Sequence, residues 1–88
     1  MTTHASHPDI IKRLKRVEGH LRAVIEMLES QRPCADIAQQ MQAIESAVNK
    51  AKKTLIHDHI DHCLEQTPGS DRTNRKSIEA LKGITKYL

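Results

Sequence analysis

The stretch IIKRLKRVEGHLRAVIEML, residues 10–28, decides the fold of this chain. Its apolar residues recur at alternating steps of four and three, which is the heptad spacing of helices that pack against other helices. They are Ile10, Leu14, Val17, Leu21, Val24 and Leu28. Pro8 suits the first turn of a helix and Asp9 suits its positive end, so the pattern predicts a helix that starts near His7.

A second helix of the same kind follows. Pro33 ends the first pattern because proline cannot continue a helix, and it is well placed to open the next one. The apolar residues of the second pattern repeat the same steps through Ile37, Met41, Ile44, Val48, Ala51 and Leu55. This spacing predicts a long helix from about Pro33 to about Glu65.

A third, shorter helix is predicted near the C-terminus. Pro68 and Gly69 mark a loop, and Ser70 or Asp71 is a suitable cap for the helix that follows. Its apolar stripe consists of Ile78, Leu81, Ile84 or Thr85, and Leu88. No stretch alternates with the period of two that a half-buried strand requires, so we predict an all-α protomer with two long helices and a short third.

The size of the chain points to association with a second copy. Residues 1–88 make one small domain, with residues 1–7 expected to be flexible, and the chain has no Trp or Phe and a single Tyr. A chain this short buries little of its surface, and it lacks the bulky side chains that stabilise a small core. Because narrow apolar stripes are typical of helical bundles, we expect the hairpin of the first two helices to pair with a second copy.

Composition favours some functional classes over others. The formal net charge is +3 and the pI about 9.1, which is compatible with an anionic partner. The N-terminal stretch is polar and no apolar run approaches the roughly 18 residues of a membrane span, so we expect a cytoplasmic protein with reduced thiols and no membrane contact. We do not expect an enzyme, since no nucleophile has a convincing base beside it.

The stretch HDHIDHC, residues 57–63, contains three of the six histidines and one of the two cysteines. His59 and Cys63 are four residues apart, a helical spacing suited to chelation. Cys34 lies 25 residues before His59 and shares its helix face, but at roughly 37 Å along a continuous helix it cannot reach the same ion. Two such helices paired antiparallel bring Cys34 of one chain beside His59 and Cys63 of the other.

The identity of the ligand stays open at this point. Two thiolates and one imidazole favour Cu(I), whereas an added nitrogen makes Ni(II) reasonable. Candidates for that nitrogen are His62, His57, and the N-terminal His4 and His7. A disulfide between chains uses the same geometry but leaves His59 without a role, and a purely structural bundle with incidental histidines is the remaining alternative.

Basic residues cluster away from the apolar stripes. The first helix carries Lys12, Arg13, Lys15, Arg16 and Arg22, and the second carries Lys50, Lys52 and Lys53. Such runs form either a solvated helix face or a surface for a polyanion. No helix-turn-helix or zinc-finger pattern is visible, so no base-reading helix can be named.

These features together resemble the CsoR/RcnR family of bacterial metal-responsive repressors. The resemblance covers nearly the whole chain, through RLKRVEGHLRAVIEMLES at residues 13–30, a cysteine that opens the second helix, and HDHIDHC at its end. In the copper-sensing branch the ligands are a Cys, a His 25 residues on and a Cys four further, which correspond to Cys34, His59 and Cys63. The resemblance implies an antiparallel dimer, a dimer-of-dimers tetramer, and double-stranded operator DNA that is bound without metal and released with it.

The resemblance also implies roles for further residues. Arg13 and Lys50 match basic positions that contact DNA, and we include Lys12, Lys15 and Arg16 with them. Glu79 falls where a carboxylate accepts the proton of the ligand histidine, while Pro33 replaces a tyrosine that often precedes the first cysteine.

Copper is the leading expectation among the metals of this family. The nickel and cobalt branch has an N-terminal histidine where this chain has Thr2, with His4 near but out of register, so Ni(II) or Co(II) comes second. Persulfide sensors drop the histidine, and formaldehyde sensors lack the terminal cysteine, so both of those branches fit less well.

Overall fold

The computed structural model of the chain describes residues 5–65 and 71–88, without the side chains of residues 63–65, 71–74, 76 and 77. These residues form three helices: α1 (His7–Glu29), α2 (Cys34–Glu65) and α3 (Asp71–Thr85). No strand occurs in the described ranges. The predicted all-α protomer with two long helices and a short third is confirmed, and the helices begin and end close to the predicted residues.

The start of α1 is held by both backbone and side-chain contacts. Ala5 and Ser6 form a turn, and the N–H of Ile10 donates to the carbonyl of Ser6 at 2.9 Å. The Ser6 hydroxyl donates to the Asp58 carboxylate on α2. His7 opens the helix, and the flexibility predicted for residues 1–7 stays a prediction. Residues 1–4, including His4, lie outside the described residues.

A residue in the left-handed region ends α1 and turns the chain towards α2. Gln31 has a φ of 57°, its N–H donates to the Leu28 carbonyl at 3.2 Å, and the Arg32 N–H donates to the Met27 carbonyl at 3.0 Å. This pair of bonds is the Schellman arrangement, in which the left-handed position is usually glycine. The Pro33 carbonyl then accepts the N–H groups of Asp36 and Ile37 in the first turn of α2. The two helices form an antiparallel hairpin.

The core lies along the contact between α1 and α2. Its central cluster consists of Val17, Val24, Ile37 and Ile44, with Met27 and Ala47 packed against it. Ile10, Ala51 and Ile56 are buried as well. Apart from Ile56, the buried residues of each long helix recur every seven positions. Burial of each Val or Ile side chain stabilises the fold by about 1.5–3 kcal/mol.

The other half of each predicted apolar stripe is exposed. Leu14, Leu21, Leu28, Met41, Val48 and Leu55 have exposed fractions between 38% and 57%. We call these six residues the exposed stripe. The physical reason is that a two-helix hairpin has one interface, which covers one of the two heptad positions and leaves the other facing away. A continuous apolar surface of this kind is typical of an interaction site.

The third helix packs against α2. Leu81 and Ile84 of its predicted apolar stripe are half-buried, whereas Ile78, Thr85 and Leu88 are exposed. The protomer measures 60 × 23 × 13 Å along its principal axes. Because a helix with its side chains is about 10–12 Å across, the protomer is a layer roughly one helix thick. Within the described residues, no helix combines the length and the apolar character needed to cross a membrane.

Replacement of Gln31 by glycine is expected to raise the free energy of unfolding by about 1 kcal/mol, because glycine adopts the left-handed region without strain. The matched control is Gln39→Gly on the exposed side of α2, where the same change should cost about 1 kcal/mol. Urea unfolding followed by circular dichroism at constant protein concentration measures both. If both changes lower the free energy of unfolding, the left-handed backbone conformation of Gln31 is contradicted.

Candidate metal centre and basic cleft

The histidine-rich stretch 57–63 lies in the last turns of α2. His57 is exposed, while His59 and His62 are half-buried. Cys63 belongs to the same helix, and its side chain lies outside the described residues. Since α2 is helical throughout, His59 and Cys63 are separated by roughly one turn, with a rise of about 6 Å.

Cys34 lies at the opposite end of the same helix. It is the first residue of α2 and its side chain is exposed. The continuous helix separates Cys34 from His59 by roughly 37 Å of axial rise. In the part of the chain that the structure describes, no group of three or more His, Cys, Asp or Glu side chains could hold a metal ion. A single chain therefore does not bring the predicted ligands together.

The hydrogen bond between Ser6 and Asp58 ties the start of α1 to the histidine-rich end of α2. Ser6 has helical backbone angles, φ −79° and ψ −18°, and its side chain makes no capping bond to α1. Its hydroxyl instead donates a hydrogen bond to Asp58, the residue that precedes His59. The residue before α1 is thereby joined to the residue next to His59.

Two further residues were predicted to take part in this site. Glu79 is exposed on α3, the helix that packs against α2. His4 lies outside the described residues.

A cleft between α1 and α2 gathers basic side chains from both helices. Its volume is about 250 Å³, and it is lined by Arg13, Arg16, Val17, His20, Ala47 and Lys50. We call it the basic cleft. Three of the five predicted DNA-binding residues line it, whereas Lys12 and Lys15 are exposed on α1 and are not among the lining residues.

His20 is the member of the cleft that sequence reasoning missed. Arg13, Arg16 and His20 follow one another at steps of three and four, which places them on one side of α1. The same spacing test that found the apolar stripes would have found this polar one. The His20 Nε2 lies 2.7 Å from the Gln40 Oε1 on α2, and this hydrogen bond joins the two helices beside the cleft.

One carboxylate balances part of the positive charge. The Arg13 Nε donates to the Asp9 Oδ2 at 2.8 Å, with both side chains partly exposed. The hydrogen bond from Arg13, its positive charge, and smaller contributions from Lys12 and Arg16 lower the pKa of the Asp9 carboxyl below its usual value. Asp9 is therefore ionised at neutral pH and competes with any other anion for Arg13.

The family model for metal-sensitive transcriptional repressors matches residues 6–87 of this chain. The chain belongs to this family. The resemblance to CsoR/RcnR proteins is thereby confirmed. The prediction that the chain is not an enzyme agrees with a family of regulators.

Individual relatives carry names of the same kind. The copper-sensing transcriptional repressor CsoR of Mycobacterium tuberculosis is 34% identical over 77 residues, which cover 88% of this chain and 64% of that protein. The copper-sensing transcriptional repressor CsoR of Bacillus subtilis is 40% identical over 78 residues, covering 89% of this chain and 77% of that protein. The chain thus spans less than two thirds of the mycobacterial relative.

A solved structure of the nickel-responsive transcriptional regulator InrS has the same fold. Its TM-score to this chain is 0.83, with 24% sequence identity, and the match covers 99% of this chain and 97% of that one. The likeness extends over all three helices and supports the arrangement of the hairpin and α3.

Removal of the Ser6 hydroxyl by Ser6→Ala is expected to lower the free energy of unfolding by about 1–2 kcal/mol, because its acceptor is a half-buried carboxylate. The control is Ser30→Ala at the other end of α1. The Ser30 hydroxyl makes an exposed bond to the Met27 carbonyl at 3.3 Å, so its loss should change stability by less than about 0.5 kcal/mol. Urea unfolding measures both, and equal effects would contradict a stabilising Ser6–Asp58 contact.

Proposed function

We propose that this protein is a copper-responsive transcriptional repressor of the cytoplasm. In this proposal it binds double-stranded operator DNA as the metal-free protein and releases it on binding Cu(I), which derepresses metal efflux or resistance genes. The metal ligands are Cys34 of one chain and His59 and Cys63 of another. The observation that carries the proposal is the unbroken α2, which separates Cys34 from the other two ligands within one chain.

The exposed stripe supports an antiparallel partner chain. Met41 and Leu55 each lie seven residues from Val48, so a twofold axis at Val48 places Met41 of one chain opposite Leu55 of the other. The same axis pairs Cys34 with His62, fourteen residues away on either side, and His59 and Cys63 lie within one turn of that position.

The α1 half of the exposed stripe supports a four-helix bundle. Leu14, Leu21 and Leu28 repeat along α1 with the same seven-residue spacing as the α2 residues. One partner hairpin covers both helices of the layer, which gives an antiparallel dimer with a closed core. The further pairing of two dimers into a tetramer follows the family pattern.

The donor set fits copper. Cys34 and Cys63 supply thiolates and His59 an imidazole, a soft set that suits Cu(I). A bound Cu(I) ion would link the α2 helices of two chains at two equivalent sites. Glu79 is proposed to accept a hydrogen bond from the ring N–H of His59. This bond would fix the tautomer of the ligand and connect α3 to the site.

A nickel or cobalt response is the second candidate. It is favoured by His62, a half-buried nitrogen donor within one turn of His59, and His4 is the other candidate ligand. An added nitrogen donor converts a soft three-coordinate set into one suited to Ni(II). Persulfide and formaldehyde sensing remain the less favoured alternatives.

The DNA-binding surface is proposed to centre on Arg13 and Lys50, with Lys12, Lys15 and Arg16 beside them. Arginine and lysine bind DNA phosphates by charge and by hydrogen bonds. Metal responsiveness then requires that the metal-bound conformation have the lower DNA affinity.

Titration of the reduced protein with Cu(I), in the presence of a fluorescent duplex from upstream of its own gene, tests this function. We expect one equivalent per chain to lower DNA affinity by about 5- to 150-fold, the usual range of allosteric coupling. Cys34→Ala and His59→Ala should abolish the response, whereas His57→Ala, in the same stretch but exposed, should retain it. Release by Ni(II) or Co(II) alone would favour the second candidate, and release by no metal would exclude both.

Mixing of two inactive variants tests whether the site is shared between chains. A mixed dimer of Cys34→Ala and Cys63→Ala chains keeps one complete site if the ligands come from two chains. We therefore expect the mixture to recover part of the Cu(I) binding that neither variant has alone. No recovery would contradict a shared site.

A twofold axis at Val48 also makes a direct structural prediction. In chains with Cys34 and Cys63 replaced by serine, Val48→Cys should be joined to its own copy by a short bifunctional thiol reagent. Ser46→Cys, about 200° round the helix from Val48, should not be joined. Gel electrophoresis under denaturing conditions measures the product, and equal yields from both variants would contradict the proposed axis.

A further inference from the structure

The basic cleft is large enough to hold a small anion. Its volume of about 250 Å³ corresponds to roughly eight water molecules at about 30 Å³ each. Pockets that bury small organic ligands are larger, about 300–1,000 Å³. One tetrahedral phosphate group with a few waters fits this space.

The lining of the cleft suits a phosphate group as well as its volume does. Arg13 and Arg16 enter from α1 and Lys50 from α2, with apolar Val17 and Ala47 between them. Arginine offers paired N–H donors and lysine a point charge, and both are common phosphate ligands. The apolar residues exclude water from one side of the site, which strengthens the attraction between the cations and an anion.

The cleft keeps a net positive charge after its neighbouring carboxylate is counted. Asp9 is ionised and hydrogen-bonded to Arg13, so it neutralises one of the three permanent cations of the cleft. Arg16 and Lys50 remain, and the hydrogen bond between His20 and Gln40 holds their two helices together beside the cleft.

We propose that the basic cleft binds one backbone phosphate of the operator, and that Arg13, Arg16 and Lys50 share this phosphate instead of each contacting a different one. The inference rests on the proposed function, because it assumes DNA as the partner. A DNA phosphate is favoured over a free one because Lys12 and Lys15 continue the positive surface of α1 outside the cleft, where the neighbouring phosphates of a polyanion would lie.

A shared phosphate makes DNA affinity at the cleft depend on the relative position of α1 and α2. Its ligands stand on both α1 and α2, so the three cations converge only while the two helices keep their relative position. The Ser6–Asp58 bond fixes that position at the end of α2 that carries His59.

The salt dependence of DNA binding by the metal-free protein tests the sharing. Each phosphate neutralised by the protein contributes about 0.9 to the slope of log affinity against log salt concentration. The variants are Arg13→Ala, Arg16→Ala and Lys50→Ala, singly and together. Arg22→Ala is the matched control, because Arg22 is an exposed cation of α1 that is not among the lining residues. Circular dichroism establishes that each variant keeps its helices.

With a shared phosphate, we expect each single change to lower affinity about tenfold while leaving most of the slope, because the phosphate is still neutralised by the other cations. The triple variant should then lose more slope than the three single variants added together. Separate phosphates would instead give three losses of about 0.9 per contacting chain that sum to the triple loss. That additive result, or an Arg22→Ala loss of affinity equal to that of Arg16→Ala, would overturn the proposal.

The carboxylate beside the cleft provides an independent test. Asp9→Asn removes a competitor for Arg13 and should raise DNA affinity several-fold. Glu18→Gln removes the same charge from α1, but Glu18 lies 3.9 Å from Arg22, which is not among the lining residues, so it should raise affinity less. Equal increases in DNA affinity for the two variants would mean that only the net charge matters. This result would overturn a role for Asp9 at the cleft.

Inorganic phosphate distinguishes the source of the anion. Calorimetric titration of the DNA-free protein should give no binding tighter than millimolar. The cleft would instead be assigned to free phosphate by two results together. The wild-type protein would bind inorganic phosphate at micromolar concentration and the triple variant would not, while the salt slope of DNA binding by the triple variant would be unchanged. If the slope losses of the single variants add up to that of the triple variant while Cu(I) still releases DNA from the wild-type protein, only the shared phosphate is overturned. If the wild-type protein binds no duplex DNA, both the shared phosphate and the proposed function are overturned.

Discussion

The unbroken length of α2 is the constraint on which the rest of the structure depends. Thirty-two residues of helix extend roughly 48 Å, and they hold Cys34 at one end and the histidine-rich stretch at the other. No rotation of side chains can overcome such a separation. Any metal site that uses both ends of α2 must therefore be completed by another chain. Metal binding at such a site requires that two chains associate.

The same helix also provides the surface that such an association needs. The hairpin of α1 and α2 buries alternate positions of each heptad stripe and leaves the others exposed, in a layer roughly one helix thick. A protomer of this shape buries a core between its helices but leaves the rest of each apolar stripe uncovered. The apolar residues that remain exposed follow the seven-residue repeat of the core, and the one at Val48 stands midway between the two ends that carry the proposed ligands.

Contacts between α1 and α2 lie beside both the histidine-rich end of α2 and the basic cleft. The Ser6–Asp58 bond lies beside His59, and the His20–Gln40 bond lies beside the basic cleft. Both bonds depend on one relative position of the two helices. The net charge of +3 is modest, and it is the convergence of cations from two helices, opposed by Asp9, that makes the cleft locally positive. This local charge therefore depends on packing more than on composition.

The helical class, the three helices and their approximate ends follow from the amino-acid sequence, because heptad spacing and proline positions act locally along the chain. Cys34, His59 and Cys63 are candidates on the same ground, since their spacing along a helix follows from helical geometry alone. The half of each apolar stripe that the hairpin covers is visible only in the folded chain, because it depends on how one helix is rotated against the other. Folding likewise brings Arg13, Arg16 and His20 together with Lys50, and Ser6 with Asp58. These residues are far apart in the chain and come into contact only when the helices pack. Local sequence patterns do not predict such contacts.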